Sequence, residues 1–163
     1  FIDVFSPDNG FTLIELLVVG AIITILSAIA VPSFYSYLDK ARYIKAVGDI
    51  STIGKDILSY HTAYNKYPDN LAQIGRATLK DPWGNSYQYL KIASESAGGG
   101  NKGGKGGKGK YRKDRFMVPI NTDFDLYSLG RDGKSVPPLT AKQSRDDIIR
   151  ANNGGYIGYA WQF

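Results

Sequence analysis

The hydrophobic pattern changes period twice along the chain. From Phe11 the sequence runs FTLIELLVVGAIITILSAIAVPSFYSYL, and Leu13 to Val31 is nineteen residues with a single charge, Glu15. At about 1.5 Å rise per residue such a block, apolar on every face, comes close to crossing a hydrocarbon layer of about 30 Å. After Pro32 the apolar residues thin to a three/four spacing: Leu38, Ala41, Ile44, Val47, Ile50, Ile53, Ile57, Leu58 and His61. Asp39, Lys40, Arg42, Lys45, Asp49, Lys55 and Asp56 fall between them, so the same helix becomes amphipathic. One helix from about 12 to about 65 is predicted, ending at Asn65-Lys66-Tyr67-Pro68. Pro32 removes one helical donor and is expected to bend the helix or thin its bonding. His61, one turn from Ile57 and Leu58, reads as a packed helix residue rather than a ligand.

Beyond 68 the period shortens to two. Asp69–Ile74 is expected as a short helical turn, and Leu79–Asn85 as a turn built on Pro82 and Gly84 with Trp83 as anchor. Strands are predicted at 86–92, near 115–120 and at 123–129, with another aromatic strand or strap over 156–163. The fold class is α+β: a long N-terminal helix on a small antiparallel sheet. The expected organisation is a leader-like segment 1–10, a transmembrane and assembly helix 11–35, and a globular domain 36–163.

Composition sharpens this outline. There is no cysteine, which excludes disulfide scaffolds, thiolate metal sites and cysteine nucleophiles, and a single histidine disfavours a His-based triad. An anchored hydrolase would need a nucleophile–base or paired-acid site that the residues do not offer. The net charge is +5, yet residues 98–115 hold seven Lys/Arg against one Asp, so the remainder of the chain is close to neutral. Residues 93–113 read as a flexible Gly/Lys loop with three competing roles: solvated insertion, electrostatic patch for nucleic acid or another anionic surface, or contact between subunits. GGKGGKGK lacks the Ser or Thr of a phosphate-cradling loop.

Two constellations carry chemistry. Glu15 is an acid inside an apolar block, and a carboxylate in hydrocarbon needs a partner or a proton. The bland reading puts it at the interfacial end of the helix. Asp132, Asp146 and Asp147 lie on either side of a long loop, and three carboxylates brought together would repel unless a cation such as calcium joined them. Asp and Gly are also common in metal-free turns.

Gly10-Phe11-Thr12-Leu13-Ile14-Glu15-Leu16-Leu17-Val18-Val19 resembles the processing site and helix start of type IV pilins and type II secretion pseudopilins. Ala30-Val31-Pro32-Ser33 resembles the family's helix-bending proline, and Asp81-Pro82-Trp83-Gly84-Asn85 with Tyr87-Gln88-Tyr89 resembles the major pseudopilin. The resemblance implies cleavage between Gly10 and Phe11, N-methylation of Phe11, and pairing of Glu15 with the N-terminal amine of a neighbouring subunit. The segment 1–10 departs from the family in lacking Lys and Arg, and Met117 is the only methionine. Retention of the leader would deny Phe11 a free amine. A secretory signal peptide is the rival reading of the apolar block, since Ser27-Ala28-Ile29-Ala30 imitates a cleavage site.

Ser128-Leu129-Gly130-Arg131-Asp132-Gly133 followed by Asp146-Asp147-Ile148 is similar to the calcium loop of major pseudopilins. Carried over, the ligands are the side chains of Asp132, Asp146 and Asp147 and the carbonyls of Leu129 and Ser144, across an interval longer than is usual. The implied function is a subunit of a helical pseudopilus in type II secretion, anchored in the bacterial inner membrane before assembly. The implied partners are copies of itself, minor pseudopilins, a prepilin peptidase, an inner-membrane platform protein, an assembly ATPase and membrane lipid. The alternatives are an extracellular type IV pilus subunit and a membrane-tethered binding module that does not polymerise.

Overall fold

The computed structural model describes residues 10–92 and 111–163. The leader-like residues 1–9 and most of the Gly/Lys tract, 93–110, lie outside the described residues. The chain divides between Lys40 and Ala41 into two compact units.

Helix α1 runs Leu13–Tyr64, within a residue or so of the predicted ends, and passes through Pro32. In the first unit its large apolar side chains from Phe11 to Tyr37 are between 48% and 81% exposed, so no face of it is covered. Ser and Thr here bond back to the carbonyl four residues earlier, Thr24 Oγ1 to Gly20 at 2.8 Å and Ser33 Oγ to Ile29 at 3.2 Å. That is how hydroxyls are accommodated in a helix with no polar surroundings.

In the second unit α1 buries one stripe. Ala46, Ile50, Ile53 and Ile57 are fully buried against Phe124, Leu126 and Ile148. Each isoleucine contributes about 1.5–3 kcal/mol by leaving water. The partner is an antiparallel meander: β1 (Gln88–Lys91), β2 (Phe124–Ser128), β3 (Ile148–Ala151) and β4 (Tyr156–Tyr159), in that order. Tyr89 stands opposite Leu126, Tyr127 opposite Ile149, and Ile148 opposite Tyr159. The alternation sorts residues to two faces. Phe124, Leu126 and Ile148 meet the helix, while Tyr127, Ile149 and Ala151 join Ile120, Leu139, Ala160 and Phe163 in a second cluster. The architecture is α+β.

One expected strand is absent from its place. Residues 115–120 do not pair with β1; β2 does. Asp114–Met117 is instead a tight turn, with Asp114 N–H bonded to the Met117 carbonyl at 3.0 Å and Arg115 at φ 34°. Pro119 has no N–H to give a ladder, which disfavours a central strand at this point. The segment crosses the sheet face away from the helix and supplies Ile120 to the second cluster.

Two polar devices fix the helix and turns on the sheet. Arg150 is 3% exposed; it donates to both carboxylate oxygens of Asp123, at 2.9 and 2.6 Å, and lies 3.9 Å over the Phe124 ring. It reaches α1 where Gly54 leaves room, a Cβ there standing 4.0 Å from the arginine. Asp81, 4% exposed, accepts from Trp83 N–H at 3.1 Å, Asn85 N–H at 2.7 Å and Ser128 Oγ at 2.6 Å. The DPWGN turn is thereby pinned to the end of β2. His61 stacks on Tyr67 at 4.2 Å, as a packed helix residue should.

Removing one member of a buried charge pair leaves the other uncompensated. Arg150→Met is expected to cost about 3–5 kcal/mol in denaturant unfolding, with part recovered in the double variant Arg150→Met/Asp123→Ala. Asp81→Ala orphans three donors and is expected to cost about 1–3 kcal/mol; an unchanged unfolding midpoint for either single variant would contradict these assignments.

Candidate functional site

The first candidate site is the start of α1. Thr12 precedes the helix, and its N–H and hydroxyl both donate to Glu15 Oε2 at 2.8 Å. Glu15 N–H in turn bonds Thr12 Oγ1 at 3.3 Å. This reciprocal Thr-x-x-Glu arrangement satisfies two of the helix's orphan N–H groups and sets a carboxylate against the positive end of the helix dipole. Thr12 is a neutral partner, so Glu15 is hydrogen-bonded within its own chain without a counter-charge there. Thr-x-x-Glu immediately before an apolar run is the sequence signal for this cap. Gly10 and Phe11 are exposed, so the bond between them is accessible.

The second candidate is the loop from Leu129 to Asp147. It closes on itself. Gly130 has φ 64° and sits so near Asp146 that a Cβ would lie 2.3 Å from the Asp146 carbonyl oxygen. Only glycine meets both the left-handed backbone and the approach. Asn85 of the DPWGN turn donates to the Gly130 carbonyl at 3.0 Å. Asp146 Oδ2 accepts from Asp132 N–H at 3.0 Å, and Asp132 Oδ1 accepts from Lys134 N–H at 2.8 Å. Ser144 turns its hydroxyl to Val136, accepting from its N–H at 3.0 Å and donating to its carbonyl at 2.7 Å.

Asp147 is 0% exposed and faces another way, toward Arg112 and Ser135. Its Oδ2 pairs with the Arg112 guanidinium and accepts from Ser135 Oγ at 2.5 Å. Burial pushes the Asp147 carboxyl up to about 6, against the lowering pull of Arg112 and the Ser135 hydroxyl. Neighbouring Asp125 is also raised by burial, although Asn121 and the Arg112 N–H bond it. Sequence reading placed Arg112 in a solvated basic tract; it is 2% exposed and turned inward. The available signal was its position, after the last Gly-Lys repeat and beside Tyr111.

The loop does bring Leu129, Asp132, Ser144, Asp146 and Asp147 into one closed segment. Among the described residues, however, no three acidic or imidazole side chains gather as a metal site. Asp147 Oδ1 is buried with no hydrogen-bond partner among the described residues, but the other oxygen of that carboxylate is committed to Arg112 and Ser135. A dication there would also face the Arg112 guanidinium at close range in a dry site. As arranged, these residues do not fit a calcium ion.

Residues 6–31 match the prokaryotic N-terminal methylation motif. The chain is 33% identical over 148 residues to the type II secretion system core protein G of Pseudomonas aeruginosa, covering 78% of this chain and 86% of that protein. The protein of the same name in Vibrio cholerae is 33% identical over 103 residues, 51% of this chain and 70% of its own length. A type IV major pilin of Myxococcus xanthus is 37% identical over 91 residues, but only 40% of that pilin is covered. No solved structure matches the chain. The pilin likeness is confined to a minor part of the pilin, whereas the secretion-protein likeness continues through most of both chains. With the methylation motif at the start of an apolar helix and that helix joined to an antiparallel meander, the chain belongs to the type II secretion system core protein G family, within the pilin and pseudopilin superfamily.

Proposed function

We propose that this chain is the repeating subunit of a pseudopilus, a helical pilus-like filament that drives protein export through a type II secretion system. The observation that carries the reading is the match along 86% of a secretion core protein, headed by a methylation motif. The physical support is α1. It has a stretch of mean hydropathy 2.6, long and apolar enough to cross a membrane, with none of that stretch buried in its own chain. A helix uncovered on every side suits two settings, lipid before assembly and neighbouring copies after it. Heterologous contacts that repeat without closing produce an open filament.

In this reading the chain sits in the inner membrane by α1 with its sheet domain in the periplasm. A prepilin peptidase cuts between Gly10 and Phe11, and Phe11 is N-methylated. The freed amine gives Glu15 of another copy a cationic partner in an apolar setting, and their pairing sets axial register. Thr12 holds Glu15 until then. Pro32 leaves one carbonyl without its helical donor and lets α1 adapt to its neighbours. Minor pseudopilins, the membrane platform and an ATPase supply initiation and motive force. The role is structural rather than enzymatic.

The second reading is an extracellular type IV pilus, to which the Myxococcus likeness speaks. Deleting the gene in its host separates the two: loss of exoprotein export with surface pili and motility intact supports the pseudopilus, and the reverse phenotype supports the pilus. Within either filament, Glu15→Leu is expected to leave full-length subunits in the membrane and abolish sheared fibres. Fibres of normal yield from that variant would remove Glu15 from the assembly mechanism.

A further inference from the structure

The loop from Leu129 to Asp147 needs a positive charge, because Asp147 and Asp125 are both buried carboxylates on the sheet face away from α1. We propose that Arg112 is the built-in cation of this loop: its guanidinium stands where a divalent metal would otherwise be required, so the loop closes without calcium. The inference goes beyond the filament reading and does not depend on it.

Arg112 meets its neighbours through its two terminal nitrogens, while its Nε has no hydrogen-bond partner among the described residues. One terminal nitrogen pairs with Asp147 Oδ2. The other donates to Ser135 Oγ and, at 2.8 Å, to the Val136 carbonyl. The guanidinium carbon lies 4.2 Å from the centre of the Tyr127 ring, so the apolar face of the ion is covered as well. A hydroxyl, a carbonyl and a carboxylate around one positive charge are the donor types that calcium recruits, here gathered by a planar fork.

The backbone holds that fork in place. Arg112 N–H donates to Asp125 Oδ2 at 2.8 Å, and its carbonyl accepts from Ile120 N–H at 3.0 Å. Lys113 N–H donates to the Pro137 carbonyl at 3.0 Å, and Leu139 N–H to the Lys113 carbonyl at 2.9 Å. These bonds stitch the residues after position 110 to the middle of the loop, so Arg112 arrives fixed by covalent and hydrogen-bond geometry. A guanidinium is charged at all relevant pH and, being part of the chain, is present at unit occupancy whatever the ion concentration outside. The remaining acids do not await a metal: Asp132 and Asp146 each accept a backbone N–H within the loop.

The test is thermal unfolding of the full chain in detergent, followed by the fluorescence of Trp83 and Trp161, in EDTA and in millimolar calcium, with calorimetric titration of calcium alone. The expected result is an unchanged midpoint and no calcium heat for the unaltered protein. Arg112→Met and Asp147→Asn should each lower the midpoint by several degrees, and together by clearly less than the sum, because they remove one interaction. Arg112→Lys should fall between, since an ammonium lacks the fork. A midpoint raised by calcium, with binding abolished by Asp132→Asn, would overturn the proposal, as would additive losses in the double variant. Should Arg112→Met fail to fold, the comparison of calcium and EDTA on the unaltered chain still decides.

Discussion

A single helix joins an all-round apolar half to an amphipathic half, and the rest of the molecule follows from that constraint. Its first half presents large apolar side chains in every direction, with nothing of the first unit folded over them. Its second half hides one narrow stripe, Ala46, Ile50, Ile53 and Ile57, on a sheet. The nineteen residues from Leu13 to Val31 are apolar all round, and that stretch has none of its residues buried. The sheet domain therefore stabilises itself on the amphipathic half alone. In the proposed filament the uncovered half would be buried in lipid before assembly and among copies of the chain after it.

The sheet domain is small, and it uses buried arginines at the places where apolar packing gives out. Arg150 ties β3 to the Asp123 carboxylate under the helix, and Arg112 ties the far-face loop to Asp147. Buried pairs of this kind gain little over well-packed apolar groups, but breaking one is costly. Each joins segments far apart in the chain, Arg150 to Asp123 and Arg112 to Asp147. Asp81 does the same for the DPWGN turn, which supports Gly130 through Asn85. The two loops that carry the family likeness thus brace each other.

Much of this was legible from residue order. The change from an all-round apolar block to a three/four spacing located α1 almost to the residue, and alternation located β1, β2 and the aromatic β4. What alternation did not give was pairing. The apolar stretch at 115–120 is expected as a strand, but Pro119 and the Asp114–Met117 turn take it across the far face, and β1 pairs with Phe124–Ser128 instead. At the sites, the acids were found and their partners were not. Glu15 and Asp147 stand out as charges in apolar or loop settings, whereas Thr12 is an ordinary polar residue and Arg112 is one cation among seven. The Thr12 contact is a local capping pattern, whereas the Arg112–Asp147 pair spans 35 positions and has no period that a pattern of hydrophobicity can report.

The central claim is that the uncovered half of α1 is covered by other copies of itself. A density map of sheared fibres at side-chain resolution tests this most directly. The account predicts that residues 11–35 form the closely packed filament centre, with Glu15 facing the Phe11 nitrogen of an adjacent subunit. Fibres held together by the sheet domains alone, with those helices apart and Glu15 turned only to its own Thr12, would contradict it.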